Sequence, residues 1–284
     1  MPTGGPSADA SVEVAFVLGG GGVLGAHEVG MLQALLEAGI CPDIVVGTSV
    51  GAINGAIVAT DPTSAAIARL VDLWAGIGDR DVFGGSLIAR IGTIARTGTH
   101  LHSNEPLREL LRQHLPVSRI EDLAVPFQCV AASVERAGAH WFTRGSVVEA
   151  VLASAAIPGL LPPVEIDGEH FFDGGLVNSI PVDRAVALGA RTVYVLQVGR
   201  IERPLEPPSR PWEVGLVAFE IARRHRFVEE MGALPDDVTV HVLPTGDPPR
   251  ADLSQLRYRN FSRIAERIAR AYEASAAYLA ERTG

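Results

Sequence analysis

Short apolar runs and helical spacings alternate along this chain. Residues 12–18 (VEVAFVL) run into a glycine cluster, the pattern of a buried strand. Over residues 25–38 the apolar positions Val29, Leu32, Leu35 and Leu36 recur at helical spacing, and Gly39 closes the segment. Residues 44–46 predict a second short strand, and the small, apolar residues 50–59 a helix buried against a sheet. Asp61-Pro62 opens another helix over 63–74. Strand, helix, strand, helix at this spacing predicts right-handed parallel crossovers. The alternation resumes with strands at 127–132 and 169–172 and helices at 147–154 and 181–188. Strands at 192–198 and 238–243 follow, and a long amphipathic helix over 253–280 ends the chain. The pattern weakens over 79–103, which reads equally as a cap over a site or as a surface connection. The Pro-rich stretch 199–211 reads as an exposed loop.

With 284 residues the chain suits one large α/β domain, expected over residues 12–284 behind a disordered tail of residues 1–11. Against 33 acidic residues stand 24 basic ones, a net charge of −9, which argues against nucleic acid as a partner. All the basic residues are Arg. The absence of Lys excludes a lysine nucleophile, a Schiff base or a P-loop. Cys41 and Cys129 lack metal-ligand spacing and read as buried free thiols suited to a reducing compartment. Neither a secretory leader nor an apolar run of about 18 residues is found, so cytoplasmic residence is expected, with peripheral membrane contact left open.

Three segments carry chemistry. Gly47-Thr48-Ser49-Val50-Gly51 lies directly after a strand and before a helix, the context of a nucleophile elbow with Ser49 exposed at the helix N-terminus. The string Gly19-Gly20-Gly21-Gly22-Val23-Leu24-Gly25, again between strand and helix, lets several backbone N–H groups converge on a small anion, as an oxyanion hole requires. Asp173-Gly174-Gly175 ends a strand with a carboxylate placed to project into a cleft. A serine nucleophile needs a base within hydrogen-bond reach, and Asp173 or a histidine could serve. Among histidines after Asp173, His225 lies in a basic run and His241 inside a strand pattern, so neither has the loop context of a triad member. Gly20-x-Gly22-x-x-Gly25 also matches a dinucleotide fingerprint, but the nearest acid, Asp43, precedes the second strand instead of ending it.

Together these three segments resemble the patatin-like phospholipases, in which a glycine-rich oxyanion loop, a G-x-S-x-G elbow and a D-G-[GA] segment build a Ser-Asp dyad. The stretch Ser154-Ala155-Ala156-Ile157-Pro158 adds to the likeness, which covers about residues 12–200. It implies a three-layer α/β/α sandwich with a mostly parallel central sheet. It further implies Ser49 as nucleophile, Asp173 as general base and acid, and Gly20, Gly21 and Gly22 as the oxyanion donors. Gly25, Gly47, Gly51, Gly174 and Gly175 would support the turns. The implied substrate is a lipid or other fatty-acyl ester, with no cofactor and no metal. One departure stands out: Leu24 occupies a position where the family often carries Arg or Lys, which puts phospholipid preference in question. A free aspartate titrates near ~3.9 and is a feeble base, so the dyad demands a desolvated site. A soluble carboxylesterase or thioesterase with the same dyad, and a non-catalytic lipid- or nucleotide-binding module, are the alternatives.

Overall fold

A computed structural model describes residues 12–79, 102–198, 205, 207–208, 211–247 and 263–283. The expected tail, most of the 79–103 segment and part of the C-terminal helix therefore lie outside the described residues. Eight strands form one sheet among them: β1 (Val14–Leu18), β2 (Ile44–Thr48), β3 (Phe127–Ser133), β4 (Gly138–Phe142), β5 (Val164–Ile166), β6 (Glu169–Asp173), β7 (Thr192–Leu196) and β8 (Thr239–Val242). The helices are α1 (Ala26–Glu37), α2 (Val50–Thr60), α3 (Ser64–Asp79), α4 (Glu105–His114), α5 (Val147–Ser154), α6 (Val182–Ala187), α7 (Pro211–Gly232) and α8 (Ile264–Thr283).

The strand order is β5-β6-β3-β2-β1-β7-β8, with β4 on the other edge of β3. From β3 through β2, β1 and β7 to β8 all pairs are parallel. The pairs of β3 with β4, β3 with β6 and β5 with β6 are antiparallel. The sheet is therefore mixed: parallel where it carries the crossovers read from the sequence, antiparallel at one end.

Both faces of the centre are covered. Along β1, Phe16 and Leu18 point into one apolar cluster with residues of α1, α2, α3, α4, α5 and α8. Ala15 and Val17 point into a second cluster with Val182 and Ala185 of α6, against which Phe227 and Met231 of α7 also pack. A strand buried on both sides has no polar face, which is why VAFVL reads as an unbroken apolar run. The outcome is three layers, helices over sheet over helices.

Two details of packing position the site. Helix α8 crosses α1 so closely that a methyl group on Gly30 would meet the Ile268 carbonyl, with the Tyr272 nitrogen 2.7 Å away. Strand β3 acts as a ruler: Thr48 pairs with Val130 on one rung, and Asp173 pairs with Ala131 on the next. Since β4 occupies the opposite edge of β3, β2 and β6 share an edge, one starting where the other stops. Residue 49 and residue 173, far apart in the chain, meet at that junction.

Candidate active site

The site lies where β1 and β2 end and the glycine-rich loop meets the elbow. Ser49 is the residue before α2, and its backbone takes φ 57° and ψ −122°. This is a left-handed geometry that a residue with a Cβ adopts only when its surroundings force it. The force is close packing: a methyl on Gly51 would collide with the Leu18 carbonyl, and one on Gly47 would come within 2.6 Å of the Gly51 carbonyl. Only glycine on both sides lets β2, the turn and β1 approach this far. A further clamp is the Ser49 N–H, which donates to Ser154 Oγ at 2.9 Å, both groups being buried. Thr48 Oγ1 donates to the carbonyl of Asn178 at 2.9 Å, tying the elbow to the segment after β6.

Ser49 Oγ donates to Asp173 Oδ2 at 2.6 Å. The other carboxylate oxygen, Oδ1, accepts from the Gly175 N–H at 2.7 Å, which fixes the plane of the group. Asp173 is 1% exposed and Ser49 6%. Burial pushes the Asp173 carboxyl up to about 6, opposed by the hydrogen bonds from Ser49 and Gly175 and by the charge of Arg223. Asp173 thus sits in the working range of a base at neutral pH, which a solvated aspartate does not reach. Among the described residues no histidine is a hydrogen-bond partner of Ser49 or Asp173; His225 pairs with Glu229 on α7 and His241 stacks on Tyr194.

The glycine loop lies beside this pair. A Cβ on Gly20 would sit 3.4 Å from that of Ser49. The three glycines expected as donors are not equivalent. The Gly20 N–H is already donated to the Ser179 carbonyl at 2.9 Å, so it is not available to an oxyanion. Gly21 and Gly22, at the entry to the short 3-10 turn Gly22–Gly25, have no partner for their N–H groups among the described residues. The end of the loop is buttressed from α2, where Asn54 Nδ2 donates both to the Gly25 carbonyl at 2.9 Å and to Glu28 Oε2 at 2.7 Å. Trp74 Nε1 completes the chain by donating to Asn54 Oδ1 at 3.0 Å. Burial holds the Glu28 carboxyl well above the usual carboxylate range, the bond from Asn54 opposing it. From α7, Arg223 Nη1 donates to the Gly20 carbonyl at 2.9 Å.

An apolar cavity of about 30 Å³ opens beside Ser49, walled by Ile53, Trp74, Ile77, Leu107 and Ile157. By the space one water needs, this is room for roughly two water-sized groups. Asp43, the acid nearest to a dinucleotide fingerprint, accepts the N–H groups of Glu13 and Val14 at the start of β1. That is the end of the strand remote from the glycine loop, where it cannot meet a ribose bound at the loop. Of the two thiols, Cys129 is buried as expected, whereas Cys41 is exposed just ahead of β2.

Sequence reasoning did not single out Ser154 as the acceptor for Ser49, nor Asn54, Trp74, Glu28 or Arg223. The signal for Asn54 was present: it is the one amide in the otherwise small and apolar stretch VGAINGAIVA. Glu28 likewise falls among the buried apolar positions of α1.

A three-layer α/β protein with a buried serine–aspartate pair beside a glycine loop is the class that this fold and site define. The chain belongs to the patatin-like phospholipase family, whose model matches residues 16–186. It is 32% identical over 188 residues to patatin-like phospholipase domain-containing protein 7 of Rattus norvegicus, a match that covers 66% of this chain and 14% of the rat protein. It is 33% identical over 197 residues to Lysophospholipase nte1 of Aspergillus niger, covering 66% of this chain and 12% of the fungal one. Patatin-like phospholipase domain-containing protein 6 of Homo sapiens is 31% identical over 188 residues, with 66% and 13% covered. The chain thus spans only about an eighth of the length of these relatives.

Proposed function

We propose that this protein is a serine acyl hydrolase of lipid esters that works through a Ser49–Asp173 dyad. The observation that carries the reading is the 2.6 Å hydrogen bond from Ser49 Oγ to a buried Asp173, made by a serine held in left-handed backbone at a helix start. Ser49 Oγ attacks the ester carbonyl as its proton passes to Asp173 Oδ2. The carbonyl oxygen gathers the negative charge and takes hydrogen bonds from the Gly21 and Gly22 N–H groups. Collapse of the tetrahedral intermediate breaks the bond to the alcohol, which leaves with the proton from Asp173. Water then gives a proton to the same carboxylate and attacks the acyl-Ser49 ester; the fatty acid leaves as Ser49 Oγ takes that proton back from Asp173. Family membership and the lysophospholipase among the relatives support a lipid substrate. Among the described residues no helix is long and apolar enough to cross a membrane.

The test is labelling by a fluorophosphonate, with the modified residue mapped by mass spectrometry and Asp173→Asn run in parallel. Label on Ser49 that is lost in the variant is the expected result. An unlabelled but folded wild-type protein would overturn the reading and favour a binding module. A second version is a soluble esterase or thioesterase for short acyl groups, which the apolar cavity beside Ser49 would accept as well. A series of esters from acetyl to dodecanoyl separates the two: kcat/KM falling steadily with chain length supports the esterase, and rising values support the lipase.

A further inference from the structure

The peptide that joins Gly20 to Gly21 lies against the nucleophile, and its two ends are glycines. With no Cβ on either side, such a peptide rotates about its flanking bonds at little steric cost. A planar trans peptide points its C=O and its N–H in opposite directions. Turning it over would therefore exchange the Gly21 N–H for a carbonyl oxygen, and an oxyanion held by that N–H would meet repulsion instead of a donor. The N–H of Gly20 is pinned to the Ser179 carbonyl, but that bond belongs to the preceding peptide and does not set this one.

What does set it is a guanidinium from the far end of the chain. Arg223 Nη1 donates to the Gly20 carbonyl at 2.9 Å across a sequence separation of 203 residues. Arg223 Nη2 is held by Glu220 Oε2 at 3.1 Å, one turn earlier on α7. Arg223 is 6% exposed and Glu220 8%, and the Arg223 Nε is buried with no hydrogen-bond partner among the described residues. The loop offers no cation of its own, since Leu24 stands in it.

Resting on the reading of Ser49 as nucleophile, we infer that Arg223 is a positioning residue that locks the Gly20–Gly21 peptide with its oxygen outward and the Gly21 N–H towards the oxyanion. It touches neither substrate nor the reacting oxygen. Helix α7 lies beyond the residues 16–186 matched by the family model, so the site is completed from outside that region.

The readout is the second-order rate of fluorophosphonate labelling at Ser49 across pH, because the phosphonyl oxygen takes the place of the ester oxyanion. In Arg223→Met the plateau rate at high pH should fall by at least about tenfold, towards the ~10²–10³ of a lost oxyanion donor. Arg223→Lys, which keeps the charge but not the planar fork, should recover the pH midpoint and only part of the plateau. A wild-type plateau in both variants, with at most a shifted midpoint, would show that Arg223 acts through the charge of Asp173 and would overturn the assignment. Should Arg223→Met fail to fold by circular dichroism, the decision passes to Arg223→Lys and Glu220→Gln, which frees the far end of the guanidinium. Both are expected below the wild-type plateau, and wild-type rates in both would overturn the inference. Absence of label on wild-type protein is a different failure, that of Ser49 itself.

Discussion

Asp173 shows how one side chain is made useful at a cost. Its carboxyl ionises near 6 instead of 3.8 because burial disfavours the charged form, and the bonds from Ser49 and Gly175 recover only part of that. A base must be ionised to accept a proton, so activity should rise with pH through a midpoint near 6. At pH 5 it should stand at roughly one tenth of its plateau. A pH profile of kcat/KM for a neutral ester measures this; a midpoint near 4 would mean the carboxylate is solvated. The same shift has a thermodynamic face. The folded state holds the proton more tightly than the unfolded one, so its advantage is complete below 3.8 and is lost as pH rises through 6. The loss is on the order of 3 kcal/mol. Asp173→Asn should therefore be inactive yet melt higher than wild type at pH 8 and not at pH 4. Equal melting temperatures at both pH values would contradict a buried, strained carboxylate. Residues of this scale were partly visible beforehand: Ser49, Asp173 and the glycines stood in contiguous motifs. The partners that hold them did not, because Ser154 meets Ser49 across a separation of 105 residues.

Among the elements, those with both faces buried or with long periodic runs were readable, and the short or mixed ones were not. Strand β5 has only three residues, too few for a period, although Asp167-Gly168 with φ 53° and 80° is the dipeptide expected of a two-residue hairpin turn. Helix α4 went unread despite Leu107, Leu110 and Leu111 at helical spacing, because the weak stretch before it obscured its start. Helix α7 is mixed: Glu220 and Arg223 are buried and Phe227 and Met231 pack on the core, while Val214, Ile221 and Val228 are exposed. A pattern rule that sends apolar residues inward cannot place such a helix. The contact of α1 with α8 makes a prediction of its own. Gly30→Ala gains about 1 kcal/mol of helix propensity in isolation. In the fold the new methyl would strike the Ile268 carbonyl and force the helices apart. Overpacking of this kind costs about 1–3 kcal/mol, and backbone yields less than a side chain does, so the net effect should be a lower midpoint in urea. An unchanged midpoint would mean that α8 does not lie this close.

At the scale of the whole molecule, the motifs and the working unit do not coincide. The family match ends at residue 186, yet β8, α7 and α8 complete the sheet, supply Arg223 and cover α1 with Ile268, Ala271 and Leu279. A chain ended after residue 198 keeps Ser49, Asp173 and all three glycines of the loop. It should nevertheless be insoluble or resist fluorophosphonate, because the apolar face of α1 is uncovered and the Gly20 carbonyl has lost its clamp. Soluble yield and labelling measure this, and full labelling of the short chain would show that the C-terminal elements are dispensable.

By itself the sequence determined what is local: an apolar run that must be a doubly buried strand, glycines where backbones touch, and a serine between a strand and a helix. These follow from sterics and burial over a few neighbouring residues. Only the tertiary structure decided what depends on distant segments meeting. The register of β2 and β6 on β3 brings Ser49 to Asp173. The packing around that junction removes the water that would keep the aspartate a weak base. The fold commits the Gly20 N–H to Ser179 and leaves those of Gly21 and Gly22 without a partner among the described residues, since which N–H is free depends on what lies opposite it. Electrostatic and hydrogen-bonding fates of this kind belong to the surroundings of a group, and the surroundings exist only once the chain has folded.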